Sequence, residues 1–371
     1  MKRIVAAVFL LFFACSCRAD ETVYDSVRDS LLVIEQEDTL LITVAAVGDI
    51  MMGSDFPSPI LPADEGKHLF AEVKEHLEAD VVFGNLEGPL CEGGYTGKNT
   101  RSGRSYAFRT PPKFGRNLLD AGFTCMSLAN NHARDFGSMG VNSTMEVLDS
   151  LGIEHSGPVG DIAGLTVKEL DIGLIAFSTY GSSYNILNES RAYGAIRSLS
   201  DSFDILIVSF HAGTEGTKAL HTSNTFEYLY GEPRGNVIEF AHRAIDHGAD
   251  LVLGHGPHVP RGMELYKERL IAYSLGNFVA YGRFSLKGAT GKSLILRATL
   301  NEDGSFVNGK IIPIDIKRPG IPHVDPEHYT IDLIQNLSNE DFKENAPVID
   351  EEGNITIPEL RVQEAAGSST E

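Results

Sequence analysis

Five short segments of this chain carry side chains of the kind that bind metals and move protons. They are Gly48-Asp49-Ile50-Met51, Asn85-Leu86-Glu87, Asn131-His132, His211-Ala212-Gly213-Thr214-Glu215 and His255-Gly256-Pro257-His258. Each follows an apolar run of the kind that forms a buried strand. In open α/β sheets the carboxyl ends of the strands form the ligand crevice. Carboxylate, amide oxygen and imidazole together suit Mn, Fe or Zn, and the spacing of the cysteines is wrong for a thiolate site. Two divalent ions about 3.5–4 Å apart can hold a phosphate and lower the pKa of a water between them. A histidine outside the ligand set can then protonate a leaving oxygen, and His132, beside Asn131, is placed for that role.

Taken singly, each segment has a plainer explanation. Gly-Asp after a strand is commonly a turn, Asn130-Asn131-His132 can cap a helix, and a strand-end histidine can be a satisfied core residue. Jointly they are harder to dismiss, because four of the twelve histidines fall at expected strand ends. Lys98, Arg104 and Arg109 lie in or near the Gly-rich polar stretch 92–105, which reads as a loop. They would steer an anionic substrate, with a solvated loop charge as the plainer alternative for each. Arg104, Arg109, Glu215 and Asn277 are the expected substrate contacts.

The elements that must position these groups alternate. Strands are expected over 40–47, 80–83, 123–128, 174–177, 205–210, 251–253 and 270–273. Helices are expected over 68–79, 111–121, 139–151 and 236–247, the last three followed by glycine. Such alternation implies crossover units and a largely parallel sheet. Segments 293–300 and 310–316 read as an antiparallel pair around Asp303-Gly304, which points to a second sheet. The expected domain runs 40–318, followed by a polar appendage with one helix (319–349) and a disordered acidic tail (350–371).

At the other end, Met1-Lys2-Arg3 precedes eleven apolar residues. Eleven residues make about 16 Å of helix, roughly half of a ~30 Å hydrocarbon core, so the run fits a secretory signal (1–16) rather than a span. Ala14-Cys15-Ser16-Cys17 resembles a bacterial lipobox. Lipidation at Cys17 or Cys15 would anchor the chain to a bacterial membrane through an acidic tether (17–39). Ordinary cleavage, giving a soluble periplasmic or secreted protein, is the alternative. Cys91 and Cys125 are expected as buried thiols, with a disulfide as the other option. The 371 residues carry 51 acids against 31 bases, a net charge of −20. That excludes a generic grip on nucleic acid, which needs a basic surface.

The motifs at 48–51, 85–87, 128–132, 211–215, 254–259 and 273–278 (Tyr273-Ser274-Leu275-Gly276-Asn277-Phe278), with Gly137, resemble the capsule-synthesis CapA-type proteins of the calcineurin-like metallophosphoesterase superfamily. The resemblance covers about residues 42 to 280. It implies an α/β fold, a four-layer α/β/β/α sandwich of two β-sheets flanked by helices, and a link to poly-γ-glutamate capsule synthesis or export. By motif, Asp49, Asn85, Glu87, Asn131, His211, His255 and His258 would hold one or two divalent ions, and His132 would be the acid. Met51 replaces the usual ligand histidine, and a thioether is a poor ligand for hard ions. Asn85 is neutral where a bridging carboxylate is usual, two residues rather than one separate His255 from His258, and Ala212 stands where the capsule proteins often have Trp. The resemblance thus leaves three functions open. One is a metal-dependent hydrolase or transferase acting on an anionic polymer or phosphorylated small molecule. The others are a non-catalytic assembly or export factor working with other capsule synthesis proteins, and a stand-alone phosphatase.

Overall fold

A computed structural model describes residues 40–100, 105–282 and 284–358. The expected signal and tether, Cys15, Cys17, Arg104 and residues 359–371 lie outside them.

The apolar runs become strands because they are buried on both faces, which removes the need for polar alternation. The first sheet takes β1 (Ile42–Met51), β2 (Val81–Leu86), β3 (Cys125–Ser127) and β4 (Glu154–Ser156) as parallel neighbours. The second contains β5 (Ala163–Val167), β6 (Leu170–Ser178), β7 (Tyr184–Asn185) and β8 (Ile205–His211). A separate hairpin, β9 (Glu227–Leu229) and β10 (Glu232–Gly235), precedes β11 (Leu251–His255), β12 (Met263–Tyr266) and β13 (Arg269–Ala272), which complete the second sheet in the order β12-β13-β11-β8-β6-β5. The chain then returns to the first sheet with β14 (Asn277–Ala280), β15 (Lys292–Leu300), β16 (Phe306–Lys317), β17 (Ile321–Val324), β18 (Val348–Ile349) and β19 (Asn354–Thr356).

Alternate residues divide the core. Ile42, Val44, Val81 and Phe83 of the first sheet meet Ile172, Ile205, Ile207 and Leu251 of the second, forming the layer between the sheets. The opposite face of the first sheet (Val47, Val82, Met126) packs on helices α1 (Gly115–Ala121) and α2 (Gly137–Leu151). That of the second (Leu206, Val208, Val252) packs on α3 (Glu189–Ser200) and α4 (Val237–Asp246). The four expected layers are therefore present, two sheets inside and helices on both flanks.

Several expectations change. Residues 68–79 do not form an α-helix; they fold as successive i→i+3 turns (Leu69 N–H to Gly66 O at 2.9 Å, Val73 N–H to Phe70 O at 3.0 Å) ending in a 3₁₀ turn, Lys74–Leu77. The expected apolar face is nonetheless buried, through Leu69, Val73 and Leu77. Residues 319–349 pack on the sheets: β17 pairs antiparallel with β16, and helix α5 (Tyr329–Phe342) places Ile331 and Ile334 in the inter-sheet core. Order does not stop at Asp350. Strand β19 pairs with β16 and with β18, and Ile355 is fully buried. Cys91 and Cys125 are separate buried thiols, and burial pushes them up to about 11 and about 12 respectively. No helix among the described residues is long and apolar enough to cross a membrane.

Candidate metal centre

Strand register assembles the site. In the first sheet Asp49 lies beside Asn85, and in the second His255 lies beside His211. Packing the sheets face to face brings these pairs together, with His255 Nδ1 at 3.4 Å from Asp49 Oδ1 and Asn85 Nδ2 at 3.4 Å from His211 Nδ1. Within its own sheet Asn85 also donates to Asp49 Oδ1 at 2.7 Å.

Two glycines permit this approach. Between β13 and β14 the chain crosses from the second sheet to the first. Its backbone passes directly over Gly48 and Gly254, where a Cβ would stand 2.0 Å from Gly276 O and 2.2 Å from Tyr273 O. Asp49 N–H bonds to Gly276 O, and Leu275 N–H to Gly254 O. Asp49 thus lies inside β1, and Gly48 serves this crossing rather than a turn. The crossing also sets Asn277 beside Asp49. The Asn277 amide nitrogen donates to Thr290 O at 3.1 Å, and its oxygen lies 3.1 Å from His258 Nδ1.

His258 comes within 2.9 Å of Asp49 Oδ2 through Nδ1, and within 3.6 Å of Glu87 Oε1 through Nε2. One ligand atom from each of Asp49, Glu87 and His258 lies within 4.8 Å of the others. Burial disfavours the charge on Asp49, but His255 and His258 outweigh it and hold the carboxyl below the usual range. Burial raises Glu87 well above that range, and the charges of Asp49 and Glu215 push the same way. Against its own burial, His258 is raised to about 10 by Glu87 and Asp49. Burial drives His211 well down, aided by Arg234 and the neighbouring histidines.

The donor set fits a divalent ion. Among the described residues, both oxygens of Glu87, Nε2 of His211, Nε2 of His255 and Oδ1 of Asn131 are buried without a hydrogen-bond partner. Native proteins rarely leave such atoms unpaired, and these are metal-ligating types carried by four strand ends. Met51, also buried, turns its sulfur to Gly53 N–H at 3.2 Å.

His132 stands beside this cluster in a built environment. Its Nδ1 lies 2.8 Å from Asp135 Oδ2, its backbone N–H bonds to Asn130 Oδ1 at 3.0 Å, and the Phe108 ring lies 4.3 Å from its own. Burial lowers its pKa against the pull of Asp135. Asp135 also pairs with Lys98, whose Nζ donates to Asn131 O at 3.0 Å. The Gly-rich loop therefore delivers Lys98 to the site. Arg109 points elsewhere, to Asp55 (2.7 Å) and Gly93 O (2.7 Å). Glu215 pairs with the buried Arg234 at 3.1 Å. Sequence reasoning missed Asp135, whose Asp-after-His spacing carries no signal by itself. It also missed Arg234, and it read Asn130 only as a cap. Asn130 instead donates to Asn85 Oδ1 (3.0 Å) and Leu86 O (2.9 Å), bracing the second strand end.

Fold and site define a two-sheet α/β protein with an acid, amide and imidazole cluster at its strand ends. The family described as "Bacterial capsule synthesis protein PGA_cap" matches residues 43–281, and the chain belongs to it. It is 27% identical over 305 residues to the capsule biosynthesis protein CapA of Bacillus anthracis, covering 78% of this chain and 71% of that one. To the PGA biosynthesis protein CapA of Bacillus subtilis it is 26% identical over 296 residues, covering 74% and 72%. Among solved structures, a 5'-nucleotidase precursor from Thermus thermophilus aligns with a TM-score of 0.41 and 12% identity, covering 81% of this chain and 59% of that one.

Proposed function

We propose that this chain works at the cell envelope in capsule synthesis, as a metal-dependent hydrolase or transferase acting on an anionic polymer, poly-γ-glutamate, or on a phosphorylated precursor. The observation that carries this reading is the set of buried, unpaired ligand atoms on Glu87, His211, His255 and Asn131 around Asp49. Asp49, Glu87 and His258 would hold the ion, with His211, His255, Asn85 and Asn131 completing one or two shells of Mn, Fe or Zn. Bound there, the metal would supply Lewis acidity and a water of lowered pKa.

The remaining work falls to the chain itself. Asp135 accepts from His132 Nδ1 and so leaves Nε2 as the nitrogen that gives or takes a proton. Lys98 pairs directly with Asp135 on the side away from the imidazole, through Oδ1, which holds the carboxylate in place. Phe108 covers the imidazole and limits water access to it. Asn277 fixes the ring of His258 through Nδ1. Export and a lipid anchor at Cys17 or Cys15 belong to the same reading, and unchanged membrane attachment of both Cys17→Ala and Cys15→Ala would remove the anchor.

A second reading, a non-catalytic factor that binds polymer during assembly or export, is favoured by Asn85. It brings no charge and spends its amide on Asp49. One assay separates the two. The metal-loaded protein is offered γ-glutamate oligomers and phosphomonoesters, and His132→Ala is compared with wild type. The enzyme reading expects turnover that falls about 10²–10⁴-fold in the variant while metal is retained. Binding without turnover in the wild type would establish the second reading instead.

A further inference from the structure

Two clefts flank the cluster, and they differ in charge. One opens on His258 and Asn277 and is walled by Tyr230, Phe284 and Glu215; its described lining residues include no lysine or arginine. The other, about 340 Å³, opens on Asn130 and Asn131 and is lined by Arg134, Tyr180, Gly181 and Ser182. Its volume lies at the small end of ligand sites, enough for a single acidic unit.

Two side-chain donors, Arg134 and the Tyr180 hydroxyl, line the second cleft. Arg134 is exposed, and its guanidinium has no hydrogen-bond or ion partner among the described residues. That is unusual in a chain of charge −20, where carboxylates outnumber cations. The Tyr180 hydroxyl accepts from Arg234 Nη1 at 2.9 Å, which leaves its own proton to donate. Arg234 is 1% exposed and is fixed by Gly213 O (2.8 Å) and Glu215 (3.1 Å), so the hydroxyl is held from beneath. The Asn131 side chain shares the lining, and its Oδ1 is buried and unpaired.

We propose that this cleft is an anion subsite. In it Arg134 and the Tyr180 hydroxyl, braced by Arg234, receive a carboxylate or phosphate of the substrate beside the metal cluster. A free guanidinium offers a planar fork to such a group, and a second donor of fixed position sets its orientation. Among its described lining residues the other cleft has no guanidinium and carries the Glu215 carboxylate, which disfavours an anionic end there. This rests on the proposal that the neighbouring cluster acts on anionic material, yet it concerns binding alone and is tested without turnover.

The test is a titration of the full chain with a short γ-linked glutamate oligomer and, separately, with inorganic phosphate. The proteins are wild type, Arg134→Gln, Tyr180→Phe and the metal-site variant Asp49→Asn, and metal content is measured in parallel. Arg134→Gln is expected to weaken binding at least about tenfold, Tyr180→Phe about threefold, both with unchanged metal content. Loss confined to the oligomer identifies a polymer carboxylate as the occupant, and loss confined to phosphate identifies a phosphorylated one. If Asp49→Asn loses metal but still binds the anion through Arg134, the subsite stands even where the metal reading fails. Wild-type affinity of Arg134→Gln for both probes, or no binding of either by wild type, overturns the proposal.

Discussion

Glu87→Gln exposes a trade between stability and metal binding. Glu87 is fully buried, neither oxygen has a hydrogen-bond partner among the described residues, and the cation facing it, His258 Nε2, stands 3.6 Å away. A buried polar group left unpaired costs about 1–3 kcal/mol, and more if charged. Glutamine keeps the shape and removes the charge. Without metal at pH 8, the variant is therefore expected to be more stable than wild type by about 1–3 kcal/mol, a few degrees in Tm for a domain of this size. With metal the order reverses. An ion at one hundred times its Kd stabilises the wild type by about 2.7 kcal/mol, and the variant, short of one ligand, forfeits most of that gain. The assay is paired thermal and urea unfolding, after chelation and after addition of Mn or Zn. Destabilisation of the variant without metal, or equal metal-induced stabilisation of both proteins, would refute the reasoning.

Other consequences follow from the same contacts. Asp135→Asn is expected to leave metal content unchanged and to lower turnover at least about tenfold, because a neutral amide is a weaker acceptor for His132 Nδ1 and leaves Lys98 without its carboxylate; kcat measured beside metal content checks this. Gly48→Ala forces a Cβ to within 2.0 Å of Gly276 O and should cost about 3 kcal/mol in urea unfolding, while Gly97→Ala, with open space around it, should cost little. His155, held between Asp161 (2.9 Å) and Asp149 (3.1 Å), loses some affinity for its proton through burial, but the two carboxylates raise its pKa above 6.5. A raised histidine stabilises the fold fully below pH 6.5, and that stability is lost as pH climbs through the folded value. His155→Gln should flatten this slope in unfolding measured from pH 6 to 9. Ile355→Ala, in the core strand β19, should cost about 2–4 kcal/mol, and no loss would detach that strand from the fold.

The sequence made the strand ends legible because each parallel strand is buried on both faces and stops at a polar residue, as at His211 and His255. It could not show that Asp49 sits within β1, because the reason for Gly48 is a backbone crossing from residue 276, more than two hundred positions away. Helix α3 escaped notice because Ala192, Tyr193 and Ile196 are its only buried positions among Ser, Arg and Glu. The terminal strands were hidden by their acidic setting. Ile349 and Ile355 are isolated apolar residues that become core only when β16 offers a partner edge. Within the site, ligand types were readable one by one, while the Asp135–His132 pair and the buried Arg234 depend on loops whose course no local pattern fixes.

A metal centre at the strand ends must hold an ion in the isolated protein. Elemental analysis of the full chain after exposure to Mn and Zn and removal of free ions tests it most directly. One or two ions per chain are expected for the wild type, with a marked loss in both Asp49→Asn and Glu87→Gln. Less than about 0.2 ion per wild-type chain, or the same content in those variants, would contradict it.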